Sequence, residues 1–93
     1  MYKQKIFDNI KALTDNEKYC EAMTIIDDYL AKNQQDDWAW YLKGNIYKKQ
    51  ELWQEAINAY TKAISINREN PATTMRRICL DILNFYDKTM YNH

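Results

Sequence analysis

The stretch from Trp38 to Ile66, WAWYLKGNIYKKQELWQEAINAYTKAISI, constrains this chain more than any other. It reads as two amphipathic helices joined by a short polar turn. The first carries Trp40, Gly44 and Tyr47, and the second Ala56, Tyr60 and Ala63. The chain's single glycine sits in mid-helix, where it costs about 1 kcal/mol relative to alanine. That cost makes sense if the second helix crosses the first at Gly44, where a Cβ would hold the backbones apart. Ala56 and Ala63 are then small for the same reason on the opposing surface. Trp40, Tyr47 and Tyr60 fill the space around the close approach.

The residues before this stretch repeat its layout. Leu13 and Tyr47, Tyr19 and Trp53, Glu21 and Glu55, Ala22 and Ala56, Ile26 and Tyr60, and Leu30 and Ile64 are each about 34 residues apart. The chain divides accordingly into one domain with a first repeat at 3–36, a second at 37–70, and a closing helix at 71–90. Ile6, Phe7, Ile10 and Leu13 predict a helix from Tyr2 to about Leu13. Thr14 and Glu17 have the spacing of a capping box for a second helix that runs to about Lys32. Asn33 to Asp37 is a polar connection ending in good N-cap residues. Helices are predicted from about Trp38 to Lys49 and from about Trp53 to Ile66. Asn67 to Asn70 connects to the last helix, Pro71 to about Met90, with Asn70-Pro71 as N-cap and first helical residue.

This pattern resembles the tetratricopeptide repeat (TPR) family, an all-α solenoid of paired helices. Trp40, Gly44, Tyr47, Ala56, Tyr60 and Ala63 carry the resemblance. Three positions depart from the family pattern: Lys43 where Leu is common, Glu51 in the turn where Gly or Asn would take a left-handed conformation more easily, and Arg68 where Pro closes a repeat. The resemblance implies a non-catalytic module that binds an extended peptide or a partner helix on the surface lined by the first helix of each pair. Trp38, Tyr41, Asn45, Lys48 and Lys49 occupy that side of the third helix. Their counterparts 34 residues earlier are Gln4, Phe7, Lys11, Thr14 and Asp15, and the last helix would add Arg76 and Cys79. Such a groove is aromatic and mildly basic, which suits a peptide with acidic and apolar side chains. The alternative for Lys11, Lys48 and Lys49 is a solvated helix face. A clamp for a C-terminal carboxylate is not expected. Of its residue set only Asn45 and Arg76 are in place, with Phe7 and Ala72 at positions that should be basic.

The last helix carries a second signal. Met75, Cys79, Ile82, Leu83, Tyr86 and Met90 form an apolar stripe, which Ile78 and Phe85 widen. Leu80 and Tyr91 add apolar surface elsewhere. A helix that only capped a solenoid should show water a polar face, and two and a half repeats fall short of the roughly three usually needed for stability. Both facts point to a homodimer through Ile78, Ile82, Phe85 and Tyr86. The alternative is a broad contact of this stripe with the fourth helix.

Composition narrows the remaining classes. The chain has 93 residues and is 46% apolar, which excludes disorder, and a single Gly and a single Pro do not supply the turns of a sandwich or barrel. Thirteen basic residues balance thirteen acidic ones, so no nucleic-acid partner is indicated; Arg76-Arg77 with Lys48 and Lys49 is a thin patch. The N-terminal residues hold no sustained apolar run, so neither a signal peptide nor a membrane partner is expected. Cys20 and Cys79 lie within helical patterns and read as reduced thiols. His93 is the one histidine and the final residue, leaving no catalytic triad, and no phosphate loop or metal-ligand pattern is present. No cofactor is expected. Asp27-Asp28 and Asp36-Asp37 read as solvation and capping. Short bacterial proteins of the family look similar, which implies a cytoplasmic setting. Three functions stay open: a peptide-binding adaptor, a structural homodimer, and an accessory subunit of a larger complex with no groove of its own.

Overall fold

The computed structural model describes residues 2–91, with side chains from residue 2 to residue 85. These residues form five α-helices: α1 (Tyr2–Asp15), α2 (Tyr19–Lys32), α3 (Asp37–Lys49), α4 (Trp53–Ile66) and α5 (Ala72–Tyr91). Each packs on the next in sequence, while α1 also meets α3 and α3 meets α5. The odd-numbered helices therefore line one face of an elongated slab. Among the described residues α2 and α4 lie on the other face without packing on each other.

The helix pair α3–α4 meets where the lone glycine predicts. A Cβ on Gly44 would sit 2.4 Å from Cε1 and 2.5 Å from Cδ1 of Tyr60. The neighbour that forbids a side chain is thus an aromatic ring inserted against the glycine; Ala56 and Ala63 pack around it as part of the same buried cluster. The ring cannot yield. Tyr60 is fully buried, and its hydroxyl donates to Asn45 Oδ1 at 2.6 Å. Burial pushes the Tyr60 phenol well above its ordinary value, helped by nearby Cys79 and Tyr41, so the hydroxyl remains a donor.

Two apolar clusters result. One gathers Phe7, Ile10, Ala22, Ile26, Leu30, Ala39, Leu42 and Ile46 between α1, α2 and α3. The other gathers Ala56, Ile57, Tyr60, Ala63, Ala72 and Cys79 between α4 and α5. Trp40 and Tyr41 pack against both and join them into one core.

The turns differ from expectation at one end. Thr14 belongs to α1, where its hydroxyl donates back to the Ile10 carbonyl at 2.7 Å. Helix α2 has no side-chain cap, so the Thr14–Glu17 pair is no capping box. Glu17 instead takes a left-handed conformation, φ 63°, and Glu51 repeats it at φ 60°. Around each, two backbone bonds close a Schellman turn: Glu17 to Thr14 and Lys18 to Leu13, Glu51 to Lys48 and Leu52 to Tyr47. Once α1 ends on this turn, no extended N-cap residue is left for α2. The family-pattern departure at Glu51 is therefore a strained backbone position occupied by a side chain, present in both hairpins.

The connections to α3 and α5 are built from side chains. Asp36 caps α3, accepting from the amides of Trp38 and Ala39 at 3.1 and 3.3 Å. Asn70, almost fully buried, accepts from the Ala72 amide at 2.8 Å and donates to Asp37 Oδ2 at 2.8 Å. Pro71 thus lies in the turn before α5, and the first helical residue is Ala72. In α5, Ala72, Cys79, Met75 and Leu83 pack toward α4, whereas Ile78 and Phe85 are 40% and 67% exposed. Tyr86, Met90 and Tyr91 have side chains outside the described residues, and His93 lies outside them entirely. No helix among the described residues is long and apolar enough to cross a membrane.

Two stability measurements check this packing. An ordinary mid-helix Gly→Ala change gains about 1 kcal/mol. Gly44→Ala is expected to lose about 2 kcal/mol instead, lowering the melting temperature by roughly 10 °C; a rise would mean that the Tyr60 ring is not confined. Glu51→Gly relieves the left-handed strain and should raise the melting temperature by about 3–5 °C, and an unchanged or lower value would contradict the turn assignment.

Candidate functional site

The face made by α1 and α3 carries a groove of about 490 Å³ lined by Lys3, Gln4, Phe7, Asp8, Lys11, Trp38, Tyr41, Leu42 and Asn45. A second hollow continues it past Lys11, Leu42 and Asn45 to Thr14, Asp15, Lys48, Lys49 and Met75 of α5. Helical spacing explains the grouping. Trp38, Tyr41, Asn45 and Lys48 recur every three or four residues along α3, opposite Gln4, Phe7, Lys11 and Thr14 on α1.

The groove's aromatic wall is ordered by ring contacts. Trp38, 44% exposed, stands edge-on to Tyr41 with centroids 5.3 Å apart, and Tyr41 leans on Tyr60 at 6.0 Å. Phe7 is mostly buried against Tyr29, 5.3 Å away, so it forms floor rather than rim. Asn45 is fixed from below, because its side-chain carbonyl accepts the Tyr60 hydroxyl. What Asn45 can offer a ligand is therefore its amide N–H donors.

Of the groove residues proposed from sequence, Phe7, Lys11, Trp38, Tyr41, Asn45 and Lys48 share this face. Arg76 does not line it. Its Nε donates to Thr61 Oγ1 on α4 at 2.9 Å, which holds the guanidinium at the α4–α5 junction. Cys79 is fully buried in the α4–α5 cluster; burial raises its thiol pKa, with Lys48 pulling partly the other way. Both cysteines are free thiols.

Sequence reading missed the node that holds α1 to α3 at one end of the groove. Asp36 Oδ2 accepts the Tyr29 hydroxyl at 2.6 Å and pairs with Lys3 Nζ at 2.9 Å, so one carboxylate ties three helices together. Burial alone would raise the Asp36 pKa. The hydrogen bonds from Tyr29 and Lys3, the Lys3 charge and the Ala39 amide overcome it and hold the carboxyl below its ordinary value. Tyr29 is pushed up to about 12, first by burial and then by Asp36. The sequence signal was available in the 34-residue offset: Lys3 and Asp36 stand where Asp37 and Asn70 stand one period later.

The sequence profile of the tetratricopeptide repeat matches residues 38–70. Among solved structures, the solution NMR structure of Bacteroides fragilis protein BF1650 is 39% identical, with a TM-score of 0.80 over 92% of this chain and 88% of that one. The chain belongs to the tetratricopeptide repeat family. No curated protein matches it. Membership in the TPR family explains the paired helices and the hollow on their inner face. It also puts Lys43 in perspective: where the family often has Leu, this TPR protein places an ammonium 2.8 Å from Asp27 and 5.4 Å from the Trp40 ring centroid, while Leu42 supplies the buried apolar side chain.

The Asp36 node gives a pH test. Because folding favours the Asp36 carboxylate, its contribution is present above the ordinary value of 3.8 and is lost as pH falls through the lower folded value. Asp36→Asn should lower the melting temperature at pH 7, and the gap to wild type should close below about pH 4. Tyr29 acts at the other limb: its phenol is favoured by folding, so stability should decline between pH 10 and about 12, and Tyr29→Phe should remove that part of the decline. Parallel pH profiles for wild type and variants would contradict the node's role.

Proposed function

We propose that this TPR protein is a non-catalytic, cytoplasmic binding module that takes an extended peptide or partner helix along the α1–α3 face. The observation that carries this reading is the continuous groove in which Trp38 and Tyr41 stand beside Asn45, Lys11 and Lys48. The exposed Trp38 and the half-buried Tyr41 supply contact area at small entropic cost. The Asn45 amide donates to a peptide carbonyl or carboxylate, and Lys11, Lys48 and Lys49 outnumber Asp8 and Asp15 along the rim, favouring an acidic and apolar ligand.

A blocked octapeptide made of two copies of Asp-Leu-Glu-Phe, titrated into the 15N-labelled chain, tests the groove. The Trp38 indole and Asn45 side-chain signals should shift saturably, and a Tyr41→Ala/Asn45→Ala variant should bind at least about tenfold more weakly, a loss of about 1.4 kcal/mol. No shift at Trp38, or equal affinity in the variant, would refute the reading.

The α5 surface supports a second part of the proposal, pairing of two copies through Ile78, Ile82 and Phe85, with Tyr86 next in sequence. Ile78 and Phe85 of this helix are exposed. Sedimentation should find a dimer at low micromolar concentration that Ile78→Asp/Phe85→Asp converts to monomer. A wild-type monomer across the concentration series would refute it and leave the groove reading untouched.

A further inference from the structure

The outer face carries a cleft that the peptide groove does not use. Because α2 and α4 do not pack on each other, a hollow of about 700 Å³ opens between them, with α3 as its floor. Trp40 forms that floor, walled by Leu30, Ala31 and Asp27 of α2 and by Asn58 and Lys62 of α4. The ring is held in place by its indole N–H, which donates to the Gln34 carbonyl at 2.9 Å. An adjoining hollow extends past Asn58 to Tyr47, Glu55 and Ala59.

Two cations converge on this ring. Lys43 Nζ lies 5.4 Å and Lys62 Nζ 5.9 Å from the Trp40 centroid. Lys43 is matched by Asp27 at 2.8 Å, whereas among the described residues Lys62 has no carboxylate within ion-pair distance. The cleft therefore combines an immobilised indole face, an aliphatic wall and one surplus positive charge. Two ammonium groups attracted to one ring also repel each other, and a carboxylate placed beside Lys62 would relieve that repulsion.

We propose that this α2–α4 cleft is a second docking site, taking a segment of a partner protein that carries a carboxylate beside an apolar side chain. The apolar group lies on Trp40 against Leu30 and Ala31, the carboxylate pairs with Lys62, and Asn58 supplies an amide to the segment's backbone. The site lies on the face opposite the peptide groove, so a partner engaged here leaves that groove open.

The test uses the full-length 15N-labelled chain and a blocked tetrapeptide, Leu-Glu-Glu-Phe, with Leu-Gln-Gln-Phe as its uncharged counterpart. The expected result is a saturable shift of the Trp40 indole and Asn58 amide signals by the acidic peptide, at least fivefold weaker with the uncharged one. Lys62→Glu should weaken that response at least tenfold and Lys62→Gln by a smaller factor. Lys62 is exposed on α4, so melting temperatures close to wild type should accompany both Lys62 variants. Shifts confined to Trp38 and Asn45, an unchanged Trp40 response in Lys62→Glu, or equal affinity for the two peptides would overturn the proposal. The first of these would leave the groove reading standing.

Discussion

The contact between Gly44 and the Tyr60 ring is the constraint on which the rest of the structure depends. It sets how closely α3 and α4 approach, because no side chain fits between the glycine Cα and an aromatic ring held by burial and by Asn45. The same contact links core to surface. Asn45 lines the groove, Tyr41 leans on Tyr60 from the groove side, and Cys79 of α5 packs in the same cluster. One ring thereby positions the second helix pair, the closing helix and the middle of the candidate binding face.

Apolar packing is complemented by a polar device used twice. Where one helix pair gives way to the next, a residue at the start of an odd-numbered helix bonds to the cap of the following odd-numbered helix. Lys3 reaches Asp36, and Asp37 reaches Asn70, one period later. The first contact is a charge pair and the second a neutral amide on a carboxylate, so the geometry has been kept while the chemistry changed. Both caps are largely buried, which makes these bonds costly to leave unmade. They tie the start of α1 to that of α3, and the start of α3 to that of α5.

Much of this was legible in the residues. Helical periodicity and the 34-residue offset located the helix ends to within a residue or two, except at the start of α2, and the one mid-helix glycine marked the closest approach. Helical spacing together with the repeat resemblance put Phe7, Lys11, Trp38, Tyr41, Asn45 and Lys48 on one face, where they line two adjoining hollows. What failed involved competition between local motifs. Thr14 and Glu17 have the spacing of a capping box, yet Thr14 bonds backward into α1 and Glu17 takes the left-handed turn. The 34-residue offset held the signal that ranks those two uses, because it places Glu17 where Glu51 stands in the turn one period later. Arg76 shows a different limit: spacing put it on the odd-numbered face, but a long side chain reaches Thr61 on α4 instead. Lys43 looked like a defect in the pattern and is a partner for Asp27 and Trp40, which only a three-dimensional arrangement reveals.

Native-state amide hydrogen exchange tests the central dependence on the Gly44–Tyr60 contact most directly. If that contact organises the molecule, the slowest amides should lie in the middle of α3 and α4, around Ile46 and Tyr60, and exchange only with global unfolding, while those of α1 exchange earlier through local opening. Slowest exchange in α1 and α2, with the middle of α3 and α4 opening first, would contradict the account and place the organising core between the first two helices.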